Sequence, residues 1–303
     1  MVMAGIILIS EDKMESMKTL SEDTLFGELY PVSDGDTLVQ AVVQPDVEYD
    51  FNSTYRLIVD GLARNAFVPF LQPIVDSITG KIVGAELLVR LLAEDASIIP
   101  PKDFIGVAEQ TGTIIEITEQ ILDKALVTIA NASKLTRNEL YLSINIVPAH
   151  LQSDRLFDFL MQRIHMGIIR QSQIKLEITE RLPIDDLLGA RIYLQAFYRI
   201  DILASLDDAG TGYGCFLYLQ ELGLSSLKID KQFIDTIVND TSTAVLNAII
   251  ALANSLGLDI VAEGVESIEQ KDHLQALGVN ICQGYLFGQP MNTVAFVEWI
   301  ESI

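Results

Sequence analysis

The sequence is poor in cysteine and histidine, which limits the metal and redox chemistry that it can support. Its 303 residues include two cysteines, Cys215 and Cys282, with no Cys-x-x-Cys pair, and three scattered histidines. Such a set forms neither a disulfide framework nor a thiolate zinc site. We therefore expect a protein of the reducing cytoplasm, and the count excludes a histidine-rich metal centre.

Basic residues are also scarce. Lysine and arginine number 20 against 42 acidic residues, and the formal net charge is -22. A general nucleic-acid surface needs basic stripes that displace counterions, so binding of bulk DNA or RNA is not expected. A small anionic ligand could still bind if divalent cations connect it to the acidic residues.

Long hydrophobic runs are missing as well. The apolar stretch 1–9 has neither a positively charged leader nor a small-residue cleavage site, and the most hydrophobic helical pattern, 243–258, is short and contains Asn247 and Asn254. We expect no secretory signal and no transmembrane segment. A chain of this length that is half hydrophobic can bury one large core plus a small appendage.

From about residue 67 onward, apolar strand patterns alternate with helical patterns. The strand patterns are 67–75, 82–91, 141–147, 174–179, 202–206, 226–229, 259–262 and 281–287, and the helical patterns are 117–132, 154–165, 185–199, 216–222, 243–258, 268–277 and 293–300. Alternation over this length, with almost continuously apolar strands, predicts a parallel barrel surrounded by helices.

The connection between the first two strand patterns is only the turn 76–81, which is far too short for a crossover helix. The first strand should therefore run antiparallel to the second, giving an α/β fold of the modified TIM (β/α)8 type. We assign this barrel to residues 56–303. Residues 1–55, with strand patterns at 5–9 and 37–43 and a helical pattern at 14–26, are predicted to form a short N-terminal accessory or dimerising segment.

An acidic doublet is the most informative feature of the barrel region. Asp207 and Asp208 end the apolar run 202–206 and open a glycine-bearing loop, and Lys228 and Asp230 lie two residues apart in a later apolar stretch. Charged groups in strand-like surroundings are costly unless they pair or bind metal. The doublet therefore indicates a partner, either an opposite charge or a cation.

Polar residues interrupt nearly every predicted strand near its C-terminal end, where barrels of this type place their active sites. They are Glu86, Asn145, Glu177, Glu180, Asp207, Asp208, Lys228, Asp230, Glu263, Glu266 and Gln283. Each one alone is more often a helix cap or a surface ion-pair partner. Together, converging carboxylates would repel one another unless divalent cations were present.

The predicted ligand chemistry favours two Mg²⁺ or Mn²⁺ ions, because the set offers oxygen ligands without histidine or thiolate. An acidic doublet can bridge one ion and reach a second, as in two-metal phosphoryl chemistry. Beside such cations the ammonium form of Lys228 should be destabilised, so that this residue could orient or activate water.

Eight motifs, in order, resemble those of the EAL domain family of cyclic di-GMP-specific phosphodiesterases. They are LQPIVD at 71–76, GAELLVR at 84–90, SIN at 143–145, EITE at 177–180, DDAGTGY at 207–213, LKID at 227–230, VAEGVE at 261–266 and QGYLF at 283–287. The resemblance covers about residues 55–303. It implies hydrolysis of cyclic di-GMP to linear 5'-pGpG by in-line attack of water with two cations, inhibition by Ca²⁺, and a homodimer formed through the EAL domain.

The resemblance also implies roles for individual residues. Glu86, Asn145, Glu177 and Asp207 would hold one metal, and Asp207 and Asp208, with Glu263 through water, the second. Lys228 would contact the attacking water, and Glu180 and Glu266 would brace the loop after the fifth strand. Gln72, Leu88, Arg90, Asp230 and Gln283 would line the dinucleotide or support its ligands.

Several positions depart from the family pattern. Leu87 stands where alanine is usual, Ala209 where phenylalanine is usual, and 214–216 reads GCF in place of Ser-Ser-Leu; Leu91 and Gln289 replace tryptophan and arginine. In this family the altered loop couples the metal site to the dimer interface, so the coupling or basal rate should differ while metal ligation is kept. The alternative function is a catalytically weak EAL domain that acts as a cyclic di-GMP receptor or a protein scaffold.

Overall fold

The protein is described by a computed structural model that covers residues 29–31, 38–40, 50–212, 214–239 and 242–302. The predicted strand 5–9 and helix 14–26 lie outside these residues. Part of the predicted strand 37–43 is present as β2 (Leu38–Gln40), which pairs antiparallel with β1 (Leu29–Pro31). The division of the chain at residue 55 stays a prediction.

Eight strands close into a barrel, as predicted. They are β3 (Phe67–Asp76), β4 (Lys81–Leu92), β6 (Tyr141–Ile146), β7 (Ile174–Thr179), β8 (Leu203–Ala209), β9 (Ser226–Ile229), β10 (Asp259–Ala262) and β11 (Ile281–Gln283), with short strands β5 (Ile98–Ile99) and β12 (Met291–Asn292) added at the edges of β4 and β3. Strands β4 and β6 to β11 are parallel, and β3 is antiparallel to both β4 and β11. The antiparallel first strand is thus confirmed.

Helices surround this barrel and bury its outer face. They are α1 (Phe51–Ala63), α2 (Ile105–Thr111), α3 (Ile114–Thr136), α4 (Pro148–Leu151), α5 (Arg155–His165), α6 (Leu187–Tyr198), α7 (Cys215–Glu221), α8 (Lys231–Ile234), α9 (Ala244–Leu256), α10 (Ile268–Ala276) and α11 (Thr293–Ser302). The seven predicted helices are present to within a few residues at each end, and α1, α2, α4 and α8 are additions. Within the described residues, none of these helices has the length and apolar character needed to cross a membrane.

Two strands end several residues from their predicted ends. Strand β8 continues through the acidic doublet to Ala209, whereas β11 ends at Gln283 instead of running on to residue 287. The early end of β11 follows from a close backbone contact, because a Cβ atom on Gly284 would lie 2.2 Å from the carbonyl oxygen of Val265. The chain turns there, and the amide of Leu286 donates a 3.0 Å hydrogen bond to the same carbonyl.

Strands β3 and β4 form a long two-stranded ribbon that rises above the mouth of the barrel. Strand β4 pairs with β6 only over residues 84–87, but its pairing with β3 extends to Leu91. Side chains alternate along a strand, so Glu86, Leu88 and Arg90 lie on one face of this ribbon. The ribbon therefore extends the inner wall of the barrel beyond the strand ends.

Candidate functional site

The ammonium group of Lys228 lies at the centre of the barrel mouth, surrounded by carboxylates. Its Nζ is 2.5 Å from Glu263 Oε1, 2.9 Å from both Glu177 Oε2 and Asp207 Oδ1, and 3.5 Å from Glu86 Oε2. The side chain is only 1% exposed. The ends of five strands meet at this point: β4, β7 and β8 supply three of the acids, β9 supplies the lysine, and Glu263 follows β10 directly.

Burial and charge shift the pKa values of this cluster in opposite directions. Burial alone lowers the pKa of Lys228, but the surrounding carboxylates outweigh it and raise that pKa well above its ordinary value. Burial raises the pKa of Glu177 to about 8 against the opposing effect of the ammonium, and raises that of Glu263 well above its ordinary range. The expected destabilisation of the ammonium form depends on nearby cations, since the carboxylates alone have the reverse effect.

Amide and hydroxyl side chains orient two of these carboxylates. Asn145 Nδ2 donates to Glu86 Oε1 at 2.8 Å, and Ser143 Oγ donates to Glu177 Oε1 at 2.6 Å. Ser143 and Asn145 share one face of β6 because they lie two residues apart. Ser143 belongs to the SIN motif, but the family resemblance implies no role for it.

Gln283 and Gln72 complete the support of Glu86. Gln283 Nε2 lies 2.6 Å from Glu86 Oε2 and 2.9 Å from Gln72 Oε1, and Gln72 Nε2 donates to the carbonyl oxygen of Gly288 at 3.2 Å. Gln283 is 3% exposed. Its contacts place it behind a predicted metal ligand rather than on the open wall of the site.

The acidic doublet lies at an irregularity of the sheet. The ladder between β8 and β9 breaks between Leu206 and Ala209, and Asp208 has a φ of 52°, in the left-handed region that non-glycine residues seldom occupy. In a regular strand, adjacent side chains point to opposite faces. Here Asp207, Asp208 and Glu263 each present an oxygen atom within 4.8 Å of the other two.

These three acids fit a divalent cation. Their donors are all carboxylate oxygens, as Mg²⁺ and Mn²⁺ prefer. Asp207 Oδ1 is buried and makes no hydrogen bond, because its 2.9 Å contact with Lys228 does not meet hydrogen-bond geometry. Burial, together with Asp207 and Asp230, raises the pKa of Asp208 to about 6, so a cation would relieve a real electrostatic cost.

Glu180 holds the loop that follows β8. Its side chain is 2% exposed, with Oε1 accepting from the amide of Gly210 at 3.2 Å and Oε2 from that of Gly212 at 3.0 Å. A Cβ on Gly212 would lie 2.5 Å from Glu180 Cβ, so the loop packs directly against this residue. The Cys215 thiol also lies beside this carboxylate; burial and the carboxylate raise its pKa to about 12.

Glu266 and Asp230 both contact helix α8, which follows β9. Among the described residues, Glu266 pairs with Lys231 of α8 at 3.1 Å, in the segment that follows β9. Strand β9 ends at Ile229, and Asp230 caps α8 by accepting from the amide of Gln232 at 2.8 Å, while its charge is close enough to Asp208 to raise the pKa of that carboxyl.

The ribbon wall above the acids is apolar and basic. The guanidinium carbon of Arg90 lies 5.1 Å from the centre of the Phe70 ring, and Phe70 is paired with Leu88 across the ribbon. Leu88 and Arg90 are half-buried and lie on the same face as Glu86. Leu87, the departure from the family motif, is buried on the opposite face against the surrounding helices.

The family model described as "EAL domain" matches residues 56–290. The chain belongs to the EAL domain family. It is 32% identical over 257 residues to the cyclic di-GMP phosphodiesterase PdeL of Escherichia coli, covering 84% of this chain and 71% of PdeL. It is also 34% identical over 231 residues to the bifunctional diguanylate cyclase/cyclic di-GMP phosphodiesterase MucR of Pseudomonas aeruginosa, covering 76% of this chain and 34% of MucR.

Solved EAL structures share the fold. The PaMucR phosphodiesterase in complex with c-di-GMP superimposes with a TM-score of 0.73 at 32% identity, over 80% of this EAL chain and 99% of that one. The EAL enzyme Bd1971, bound to cAMP and cyclic di-GMP, has a TM-score of 0.76 at 30% identity, over 83% and 69% of the two chains. Some curated relatives are much longer, since the chain spans 71% of PdeL but only 34% of MucR.

Proposed function

We propose that this EAL domain hydrolyses cyclic di-GMP to linear 5'-pGpG with the help of two divalent cations, Mg²⁺ or Mn²⁺. The observation that supports this most strongly is the group formed by Asp207, Asp208 and Glu263 beside Lys228, at the mouth of an EAL-family barrel. Every acid that the family resemblance assigns to the metals is present in this chain. A receptor that had lost catalysis would be expected to have lost some of them.

The proposed ligand sets follow the carboxylates. Asp207 would belong to both: Glu86, Asn145 and Glu177 complete one set, and Asp208 and Glu263 the other. When bound, two cations would supply positive charge that stabilises the phosphodiester oxygens.

The protein groups would position the water and move its proton. Lys228 would donate a hydrogen bond to the attacking water, and an adjacent carboxylate would accept the proton that the water loses. Glu177 and Asp207 keep the ammonium group in place, because both lie 2.9 Å from its nitrogen. Glu180 would hold the loop that follows the doublet.

The substrate would lie against the ribbon wall. Leu88 would contact a base, and the Arg90 guanidinium would pair with a phosphate or a base edge, since it stays half-exposed above the acids. Gln72, Gln283 and Asp230 would support the site from behind. Cyclic di-GMP is bound by the PaMucR phosphodiesterase and by Bd1971, which supports it as the substrate.

The proposal is tested by incubating the purified chain with cyclic di-GMP and following linear pGpG by chromatography. We expect product with Mg²⁺ or Mn²⁺, inhibition by Ca²⁺, whose larger and more flexible coordination disfavours a tight two-metal geometry, and no turnover by Asp207→Asn. Asp123→Asn is the matched control, because it removes only a surface ion pair with Arg163. Binding without product under both metals would establish the receptor function instead.

We also propose a cytoplasmic homodimer formed through the barrel domain. The Arg191–Glu221 ion pair, at 3.7 Å, links helices α6 and α7, which together expose Leu188 (69%), Ile192 (60%) and Phe216 (74%). An exposed apolar group of this kind favours association. Light scattering should show a dimer for the wild type and a lower mass for Phe216→Ser.

A further inference from the structure

A cavity of about 580 Å³ lies at the end of the barrel opposite to the acidic site. It is lined by parts of 130–139, at the end of α3, and of 167–173, which leads into β7. Strands β6 and β7 begin beside this cavity and carry Asn145 and Glu177 near their other ends. The cavity is therefore separate from the proposed metal site, and its size is that of pockets that hold small molecules.

The lining of this cavity is basic, in contrast to the chain as a whole. Lys134, Arg137 and Arg170 line it together with one acid, Glu139, so three cations face one anion in a chain of net charge -22. Glu139 pairs with Arg170 at 2.8 Å, whereas Lys134 and Arg137 have no ion-pair partner among the described residues. The C-terminus of α3 adds roughly half a negative charge, which does not cancel these two. Positive charge therefore remains for an anion.

Arg137 occupies a backbone position that favours glycine. It follows the last residue of α3 with a φ of 55°, in the left-handed region where glycine is the usual residue at the end of a helix. Its guanidinium group has no hydrogen-bond or ion-pair partner among the described residues. The folded chain thus gives this side chain no structural task, and it is available to a ligand at the edge of the cavity.

Ser133 provides a buried hydrogen-bond donor in the same cavity. Its side chain is only 8% exposed, and its Oγ accepts from the Leu140 amide at 3.1 Å and from Gln173 Nε2 at 2.9 Å. These bonds occupy both lone pairs of the oxygen, so its hydrogen is left to donate. Thr128 and Thr136 of the same helix donate to carbonyl oxygens four residues earlier, but no described residue accepts from Ser133.

We propose that this cavity binds the phosphate group of a small anionic molecule. The Ser133 hydroxyl donates a hydrogen bond to a phosphate oxygen from the floor of the cavity, and Lys134 and Arg137 neutralise the phosphate charge from its rim. Hydrogen bonds from charged donors to phosphate are short and strong, and the fork of donors on a guanidinium group matches phosphate geometry. The site does not depend on the proposed catalytic function.

Isothermal titration calorimetry of the purified chain tests the site, with inorganic phosphate and AMP as probes. The buffer contains EDTA, so that no metal ion at the barrel mouth binds phosphate. We expect one binding event per chain, weakened about tenfold or more in Arg137→Gly and in Lys134→Met. Arg137→Gly should keep the Tm of the wild type, because glycine suits the left-handed position. The matched control is Lys124→Met, since Lys124 is exposed on the same helix about 15 Å from Lys134.

The two probes distinguish the sources of the phosphate group. Tighter binding of AMP than of inorganic phosphate would indicate a phosphate monoester, and equal or weaker binding of AMP would indicate the free ion; both results support the site. Three results would overturn the proposal: no binding of either probe at millimolar concentration, wild-type affinity in Arg137→Gly, or an equal loss of affinity in Lys124→Met and Lys134→Met. The last result would show that only the overall charge of the protein matters.

Discussion

Replacing Lys228 with methionine should make the stability of the protein depend on divalent cations. The lysine ammonium is buried within 3.5 Å of four carboxylates, of which Glu263, Glu177 and Asp207 are within 2.9 Å. Methionine fills a similar volume but removes the only positive charge in this contact group. The carboxylates are then left to repel one another unless protons or metal ions neutralise them.

The expected loss of stability follows from the burial of the ion pairs that Lys228 makes. Removing one partner of a buried ion pair typically costs about 3–5 kcal/mol, since it leaves uncompensated charge. For a chain of this size each kcal/mol corresponds to a few degrees in Tm, so a fall of roughly 10 °C in EDTA is expected. A cation at a hundred times its Kd would restore about 2.7 kcal/mol by binding the folded state.

The assay is thermal and urea unfolding of the wild type and Lys228→Met, in EDTA and in increasing Mg²⁺. The variant should gain more stability from Mg²⁺ than the wild type does, because its carboxylates no longer hold an ammonium group. Lys271→Met is the matched control, because Lys271 lies on α10 and pairs with the exposed Asp272 at 3.0 Å. Its loss should cost less than about 1 kcal/mol, with no added dependence on Mg²⁺.

Equal stability of Lys228→Met and the wild type in EDTA would refute the reasoning, since it would mean that the ammonium does not stabilise these acids. An equal gain in stability from Mg²⁺ in both proteins would show that the carboxylates around position 228 do not bind the cation once the lysine is removed.

Two further predictions concern other buried groups. Glu180→Gln replaces one of the two oxygens that accept from the loop amides, at a local cost of about 1–3 kcal/mol, so turnover and the apparent affinity for Mg²⁺ should both fall. Glu266→Gln should have a smaller effect on both, because the Glu266 carboxylate pairs with Lys231 outside that loop. A larger effect of Glu266→Gln would contradict the role assigned to Glu180. His150 is buried, accepts from the Val147 amide at 3.1 Å, and burial lowers its pKa to about 4. In the unfolded chain this histidine has its ordinary pKa near 6.5, so it is protonated there before the folded form is. As the pH falls from 6.5 to 4, protonation of the unfolded chain should therefore lower the free energy of unfolding by up to about 3 kcal/mol. Urea unfolding of His150→Gln should show a flatter dependence on pH over that range, and a slope equal to that of the wild type would exclude this role.

The barrel was predictable because its signals are local. Each strand is a short apolar run, and the turn at 76–81 is too short for a crossover, which determined the direction of β3. Helix α1 was not predicted, because the family motifs begin after it and the barrel buries only part of its apolar surface. Strand β8 was predicted too short, because two consecutive acids are typical of a loop unless the sheet is irregular there.

The sequence alone determined which donors this protein has: an all-oxygen acid set, one lysine among the strand-end residues, and no thiolate or histidine cluster. That information is chemical and needs no coordinates. Only the tertiary structure decided how the donors are shared. Closure of eight strands brings Glu86 and Glu263 to the same ammonium group, and the left-handed backbone of Asp208 lets two adjacent acids serve one site. Such distances depend on strand register across the whole barrel, which no local pattern in the chain specifies.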